Sequence, residues 1–302
     1  NPARQTMIRA GIPKETPAFT INKVCASGLK AIALGASSIM CGEADVIIAG
    51  GQESMSMVPM ALPKARWGHR MEVTGKGELY DLMVYDGLYE IFYGYHMGVT
   101  AENIVEKYGI TREEQDGLSV LSHARAMAAI KDGSFAREIV PVVIKGRKGD
   151  VVVDTDERPM ETSMEKMAKL RPVFKKDGSV TAGNASGLND GAAATIIASA
   201  EAVKKYNLKP LARIVSSAVV GVEPRIMGIG PVQASNKALE KAGLTMDDMD
   251  VIELNEAFAA QALACTRAWG LADDDVRLNP NGGSIAIGHP LGVTGARIAY
   301  SA

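Results

Sequence analysis

Apolar residues recur along this chain with two periods, and their alternation sets the first expectations. Ala18–Val24 is a short β-branched run of strand length. Ser27–Met40 carries Ala, Leu and Ile at helical spacing, and Ala44–Ala49 is again an apolar run, closed by Gly50 and Gly51. Strand, helix, strand in this order predicts a parallel α/β sheet. From Met55 to Thr181 the pattern changes: Pro59, Pro63, Gly68, Gly75 and Gly77 interrupt its first part, and aromatics crowd Tyr80–Tyr95. Helices are predicted over Thr100–Tyr108 and Arg112–Lys131, the second opened by a capping box of Thr111 and Glu114. Glu138–Val153 alternates in the β manner. After Gly191 the α/β pattern resumes, with strands over Ala192–Ile197, Leu211–Val220 and Asp250–Leu254. Helices follow over Val232–Ala242, stopped by Gly243, then Ala257–Trp269 and Gly292–Ala302. The middle block therefore reads as an elaborate insertion between two α/β parts, which hint at internal duplication. A βα unit whose helix comes last lacks its following strand, so a truncated C-terminus is expected at Ala302. The chain opens at Asn1-Pro2 without a methionine, and any targeting segment upstream of it is invisible.

Composition narrows the function classes. The 302 residues are 47% hydrophobic and 23% charged, an ordinary globular balance with room for about two domains at ~150 residues each. Thirty-three Lys and Arg against 35 Asp and Glu leave a net charge of −2, too little positive field to hold nucleic acid. No window reaches about 18 uninterrupted apolar residues, so no transmembrane helix and no membrane partner are expected. Cys25, Cys41 and Cys265 cannot build a disulfide framework and read as reduced thiols of an intracellular, cytoplasmic protein.

Four local constellations carry candidate chemistry. Val24-Cys25-Ala26-Ser27-Gly28 sits at a strand-to-helix turn, where the helix dipole and free N–H groups would lower a thiol pKa and favour thiolate. The position also suits a buried structural cysteine. Asn279–Gly292 is a glycine-rich loop that places His289 between Gly288 and Pro290 at a helix start. Gly283 and Gly288 have the spacing of a phosphate loop, but His289-Pro290 stands where Lys-Ser/Thr is required. Asn255-Glu256 follows the apolar strand Asp250–Leu254, at the carboxyl end where α/β sheets display functional groups; Asn255 could equally cap a helix. Thr181–Gly191 is dense in Gly, Asn and Ser, able to wrap donors around a ligand or simply to form a long tight turn. His69, His96, His123 and His289 are scattered and no Cys-x-x-Cys is present, so metal binding fails on spacing.

Together these residues resemble the thiolase family along the whole chain. The motifs are Val-Cys-Ala-Ser-Gly at 24–28, Gly-Gly-Gln-Glu-Ser-Met-Ser at 50–56, Asn-Glu-Ala-Phe at 255–258 and Gly-His-Pro-Leu-Gly at 288–292. The resemblance implies an α/β thiolase fold: two similar halves stacked in α-β-α-β-α layers with an inserted loop domain. On this chain that gives a partial N-terminal half at 1–57, the loop domain at 58–187 and a truncated C-terminal half at 188–302. It implies an acyltransferase in which Cys25 takes the acyl group from a coenzyme A thioester. His289 accepts the Cys25 proton and polarises a thioester oxygen, and Asn255 holds a water that completes that oxyanion site. The family's second, acid/base cysteine belongs to a motif that lies outside this sequence, and Cys265 is no substitute by position. No cofactor is implied; the coenzyme A thioester is substrate.

The same resemblance places Ser186 on the pantetheine arm. Phe174, Ala182, Ala257 and Phe258 line its channel, and Arg158 is the nearest cation for the phosphates at the channel mouth. His96 followed by Met97 resembles the short-chain, acetoacetyl-CoA-cleaving members, because a bulky polar side chain shortens the acyl pocket; His96 as a satisfied core histidine is the alternative. The expected activity is that of an acetyl-CoA C-acetyltransferase, with a broad 3-ketoacyl-CoA thiolase as alternative and a non-catalytic subunit of a complex as a third reading. A homodimer or homotetramer is expected, with Met55–Gly77 resembling the loop through which tetramers associate.

Overall fold

The computed structural model describes residues 1–70 and 75–302; part of the Met55–Gly77 segment therefore lies outside the described residues. Helix α1 (Pro2–Arg9) starts at an Asn1 cap with Pro2 in its first turn. Helix α2 occupies Ser27–Met40, the span its periodicity predicts, and strand β1 follows over Val46–Ser54. The middle block contains two-residue strands β2 (Met60–Ala61), β3 (Tyr80–Asp81), β4 (Tyr89–Glu90) and β5 (Tyr95–His96), paired β2 with β3 and β4 with β5. Helices α3 (Met97–Tyr108) and α4 (Arg112–Asp132) come next, and the Thr111–Glu114 capping box is formed in both directions. The β-like stretch Glu138–Val153 condenses into a small hairpin of β6 (Val142–Ile144) and β7 (Val151–Val153), followed by the short α5 (Met164–Ala168). The chain then forms β8 (Asp190–Ala198), α6 (Ala200–Lys205), α7 (Gly230–Ala242), α8 (Ala259–Ala268), α9 (Ser284–Ile287) and α10 (Leu291–Ser301).

Three strand expectations are corrected. Ala18–Val24 and Leu211–Val220 form no strand; Phe19 and Leu211 are 70% and 97% exposed. A β-branched run becomes a strand only against a partner edge, and Thr20 instead serves α1, accepting from the Ala3 N–H and donating to Asn1 Oδ1. Asp250–Leu254 makes one bridge, Ile252 to Leu278, which is the parallel pairing found among the described residues. The long strands β1 and β8 pair antiparallel, from Val46 opposite Ala198 to Ser54 opposite Asp190.

Helices α2 and α10 lie against one face of this ribbon, burying Ile32, Ala49 and Ala296 among Ile47, Ala193 and Ile197. They approach so closely that a Cβ on Gly28 would come within 2.5 Å of the Ala296 nitrogen, and one on Gly295 within 2.5 Å of the Leu29 nitrogen. Each helical glycine costs about 1 kcal/mol relative to Ala, and the backbone contact it permits sets the N-terminal turns of α2 and α10 side by side. A second core surrounds α8, whose residues Ala259–Thr266 are all buried, with Ile104, Leu118, Leu254, Leu278 and Ile285 packed around them. A helix buried on every side belongs at the centre of its layer.

Candidate active site

The turn that leads into α2 is strained. Val24, a β-branched residue, has φ 48°, a conformation worth about 1–3 kcal/mol of strain. Local hydrogen bonds hold it: the Val24 N–H donates to Asn22 Oδ1 at 2.9 Å, and Ser27 Oγ donates to the Val24 carbonyl at 2.7 Å. Cys25 follows directly, half-buried, with Sγ 3.1 Å from His289 Nε2. The two residues are 264 positions apart and meet because α2 and α10 pack at their N-terminal turns.

The surrounding hydrogen bonds fix the imidazole tautomer. Thr294 Oγ1 donates to the Pro290 carbonyl at 3.1 Å and lies 2.7 Å from His289 Nδ1. Its proton being committed, the hydroxyl accepts, so Nδ1 carries the hydrogen and Nε2 is left as an acceptor facing the thiol. Asn255 is oriented by the same logic. Ser284 Oγ donates to Asn255 Oδ1 at 2.7 Å, which turns the amide nitrogen toward His289 Nε2 at 3.3 Å. Behind Asn255, the buried Glu256 carboxylate accepts from Ser122 Oγ, Asn279 Nδ2 and the Ile285 N–H. The His289 N–H donates to Asn189 Oδ1 at 3.3 Å.

Electrostatics correct one expectation. The helix N-terminus does not make Cys25 a resting thiolate: burial pushes its thiol up to about 11, the Glu53 carboxylate adds to that, and a backbone hydrogen bond opposes it only in part. Burial, with the Arg297 charge, pushes His289 down to about 4. Each group resists the charge it would gain, so the resting pair is neutral thiol and neutral imidazole, joined by one hydrogen bond. The contact is within the reach a thiol and a general base need to exchange a proton.

The pantetheine candidates are brought together by a narrow antiparallel contact. The Ser186 N–H donates to the Ala257 carbonyl at 3.0 Å, Ala185 bridges Phe258, and the Ala259 N–H donates to the Asn184 carbonyl at 2.9 Å. Ser186 thus lies beside Ala257 and Phe258, in the segment that begins with Asn255. Phe174 stacks on His96 with centroids 4.7 Å apart and meets Phe258 edge-on at 6.1 Å. His96 Nδ1 accepts from the Gly98 N–H at 3.0 Å and caps α3, whose first residue is Met97. With Nδ1 accepting and burial holding its pKa down, His96 is neutral with its proton on Nε2. Ala182 is exposed in the turn between Thr181 and Asn184. The Arg158 guanidinium, expected at the channel mouth, faces inward to the carbonyls of Ile285 and Ala185. Cys265, buried in α8, has Sγ 3.3 Å from the Gly228 carbonyl.

Thr294, Ser284 and Asn189 are the site residues that sequence reasoning passed over. The available signal was a hydroxyl five residues beyond His289 and another within the Asn279–Gly292 loop.

The thiolase N-terminal domain matches residues 1–201 and the thiolase C-terminal domain residues 208–302. The chain belongs to the thiolase family and has the α/β thiolase fold. Its similar relatives include the acetyl-CoA acetyltransferase of Syntrophomonas wolfei, 60% identical over 99% of this chain and 75% of that protein. In structure it matches the Bacillus anthracis acetyl-CoA acetyltransferase with a TM-score of 0.95 at 46% identity, over 100% of this chain and 75% of the other. It matches human mitochondrial 3-ketoacyl-CoA thiolase with a TM-score of 0.94 at 47% identity, over 99% and 75%.

Proposed function

We propose that the protein is an acetyl-CoA C-acetyltransferase that cleaves acetoacetyl-CoA with coenzyme A, or joins two acetyl-CoA in reverse, through an acyl-Cys25 intermediate. The contact between Cys25 Sγ and His289 Nε2 at 3.1 Å carries this reading. In the cleavage direction His289 Nε2 takes the thiol proton as Sγ attacks the ketone carbon. The bond between that carbon and the next one breaks, its electron pair passes into the enolate of acetyl-CoA, and a proton from the acid/base cysteine that the resemblance implies completes the first product. Coenzyme A thiol then attacks the acetyl-Cys25 carbonyl, its proton passing to that acid/base cysteine, and Cys25 leaves as a thiol with the proton returned by His289. Splitting the reaction in two lets one thiol serve both acyl transfers.

A water held by the Asn255 amide, together with the imidazole, supplies donors where charge develops on oxygen, each typically worth about 3–4 kcal/mol of the barrier. Ser186, Phe174, Ala182, Ala257 and Phe258 hold the pantetheine arm. His96 and Met97 shorten the acyl pocket so that it favours short chains; the relation to a 3-ketoacyl-CoA thiolase keeps a broader chain range as the second reading. The reaction uses no cofactor. We place the enzyme in the cytoplasm as a homodimer or homotetramer, readings supported by three unpaired cysteines and by Met57, Trp67 and Phe92, each about four-fifths exposed. Among the described residues no helix is long and apolar enough to cross a membrane.

The test is turnover of acetoacetyl-CoA by the intact protein, compared with 3-ketoacyl-CoA substrates of rising length. Activity falling steeply beyond four carbons supports the short-chain reading, equal activity across lengths supports the broader one, and no cleavage of any substrate removes both.

A further inference from the structure

Arg158 sits in the loop between β7 and α5, yet its guanidinium reaches two segments of the site. Its Nε donates to the Ile285 carbonyl at 2.8 Å and its Nη2 to the Ala185 carbonyl at 3.2 Å. The loop itself is anchored to α4, where His123 Nδ1 accepts from the Met160 N–H at 3.3 Å. Ile285 lies in α9, a helix of four residues, where late carbonyls have no partner of their own. The next residues cannot supply one, since the His289 N–H is used by Asn189. Gly187 adds an independent observation. A Cβ there would stand 2.6 Å from Arg158 Nη1, 2.7 Å from Cζ and 2.8 Å from Nε. The guanidinium therefore lies flat on the Gly187 α-carbon, a seat that only a glycine leaves open.

Both tethered segments belong to the candidate site. Ala185 precedes Ser186, whose N–H is tied to Ala257. Ile285 follows Ser284, whose hydroxyl orients Asn255, and its own N–H is held by Glu256. We infer that Arg158 is a positioning residue. It clamps the Ser186 turn to the α9 turn, and so sets the pantetheine arm relative to Asn255 and His289, with its charge satisfied by protein carbonyls. This rests on the pantetheine role proposed for the Ser186 turn.

A truncated substrate separates the clamp from a phosphate contact. Acetoacetyl-pantetheine carries the arm but no nucleotide. Arg158→Met should lower kcat/KM about 10- to 100-fold toward acetoacetyl-CoA and acetoacetyl-pantetheine alike, the two losses agreeing within about threefold. A loss confined to acetoacetyl-CoA would overturn the clamp and make Arg158 a reader of phosphate, and no loss with either substrate would overturn it outright. Gly187→Ala provides the second arm, because its methyl displaces the same guanidinium. It should reproduce the loss in the otherwise native protein and add less than about twofold in an Arg158→Ala background; fully additive losses would refute the clamp. A native protein inert toward both substrates overturns the proposed function along with it.

Discussion

Replacing Thr294 by valine removes one oxygen and leaves the shape almost unchanged, which makes it a sharp probe of the imidazole. In the native site Nδ1–H is accepted by Thr294 Oγ1 at 2.7 Å, and that bond keeps Nε2 free to accept the Cys25 proton. Valine leaves the buried Nδ1–H without a partner, at a cost of about 1–3 kcal/mol. The imidazole escapes that cost by moving its proton to Nε2, where it confronts the thiol and can no longer act as base. At ~1.4 kcal/mol per factor of ten, acetylation of Cys25 should slow by about 10- to 100-fold. Thr294→Ser retains the hydroxyl and should stay within about threefold of the native rate. Rapid-quench measurement of single-turnover acetylation by acetyl-CoA reads the step directly, with KM expected to be little changed. If Thr294→Val acetylates as fast as the native and Thr294→Ser proteins, the tautomer assignment and the base role drawn from it are wrong.

His289→Ala should lower kcat by about 10²–10⁴ while moving KM far less, as steady-state kinetics will show; an effect confined to KM contradicts a group acting where charge develops. Because burial pushes the Cys25 thiol up to about 11, its alkylation by iodoacetamide, followed by peptide mapping to separate it from the exposed Cys41, should keep accelerating about tenfold per pH unit from 7 to 9. A plateau below pH 8 would show a resting thiolate. Glu253 lies 3.3 Å from Arg297, and burial raises its folded-state carboxyl from 4.5 to about 7. The folded protein then holds a proton that the unfolded chain releases, so this group's stability contribution is full below pH 4.5 and lost as pH rises through 7. The loss is on the order of 3 kcal/mol. Glu253→Gln should flatten that fall in urea unfolding between pH 5 and pH 8, and an unchanged slope would contradict the assignment.

Helices with a periodic apolar face or clear end signals were legible in the sequence. Ser27–Met40 and Arg112–Asp132 formed where their spacing and the Thr111–Glu114 box put them, because those signals are local. Strands were less legible, since Ala18–Val24 and Leu211–Val220 have the composition of strands and lack the paired edge that would make them so. The motifs carrying Cys25, Asn255 and His289 stood out as bent, small-residue turns, and the geometry brings all three into one hydrogen-bonded group. The thiol's charge state was not legible. Dipole and donors are visible in sequence as a helix start, whereas the enclosure that outweighs them depends on α10, far along the chain. Thr294 and Ser284 were missed for a related reason: each matters only through a partner whose orientation sequence spacing does not show.

Everything proposed for the site depends on Cys25 carrying the acyl group. The direct measurement is mass spectrometry of peptides from the intact protein, quenched during steady-state turnover of acetoacetyl-CoA and again after mixing with acetyl-CoA alone. One acetyl group on the peptide containing Cys25 is predicted in both samples, removed on adding coenzyme A and absent in Cys25→Ser, which should not turn over. Turnover with Cys25 unmodified, or acetyl found on Cys41 or Cys265 instead, would contradict it.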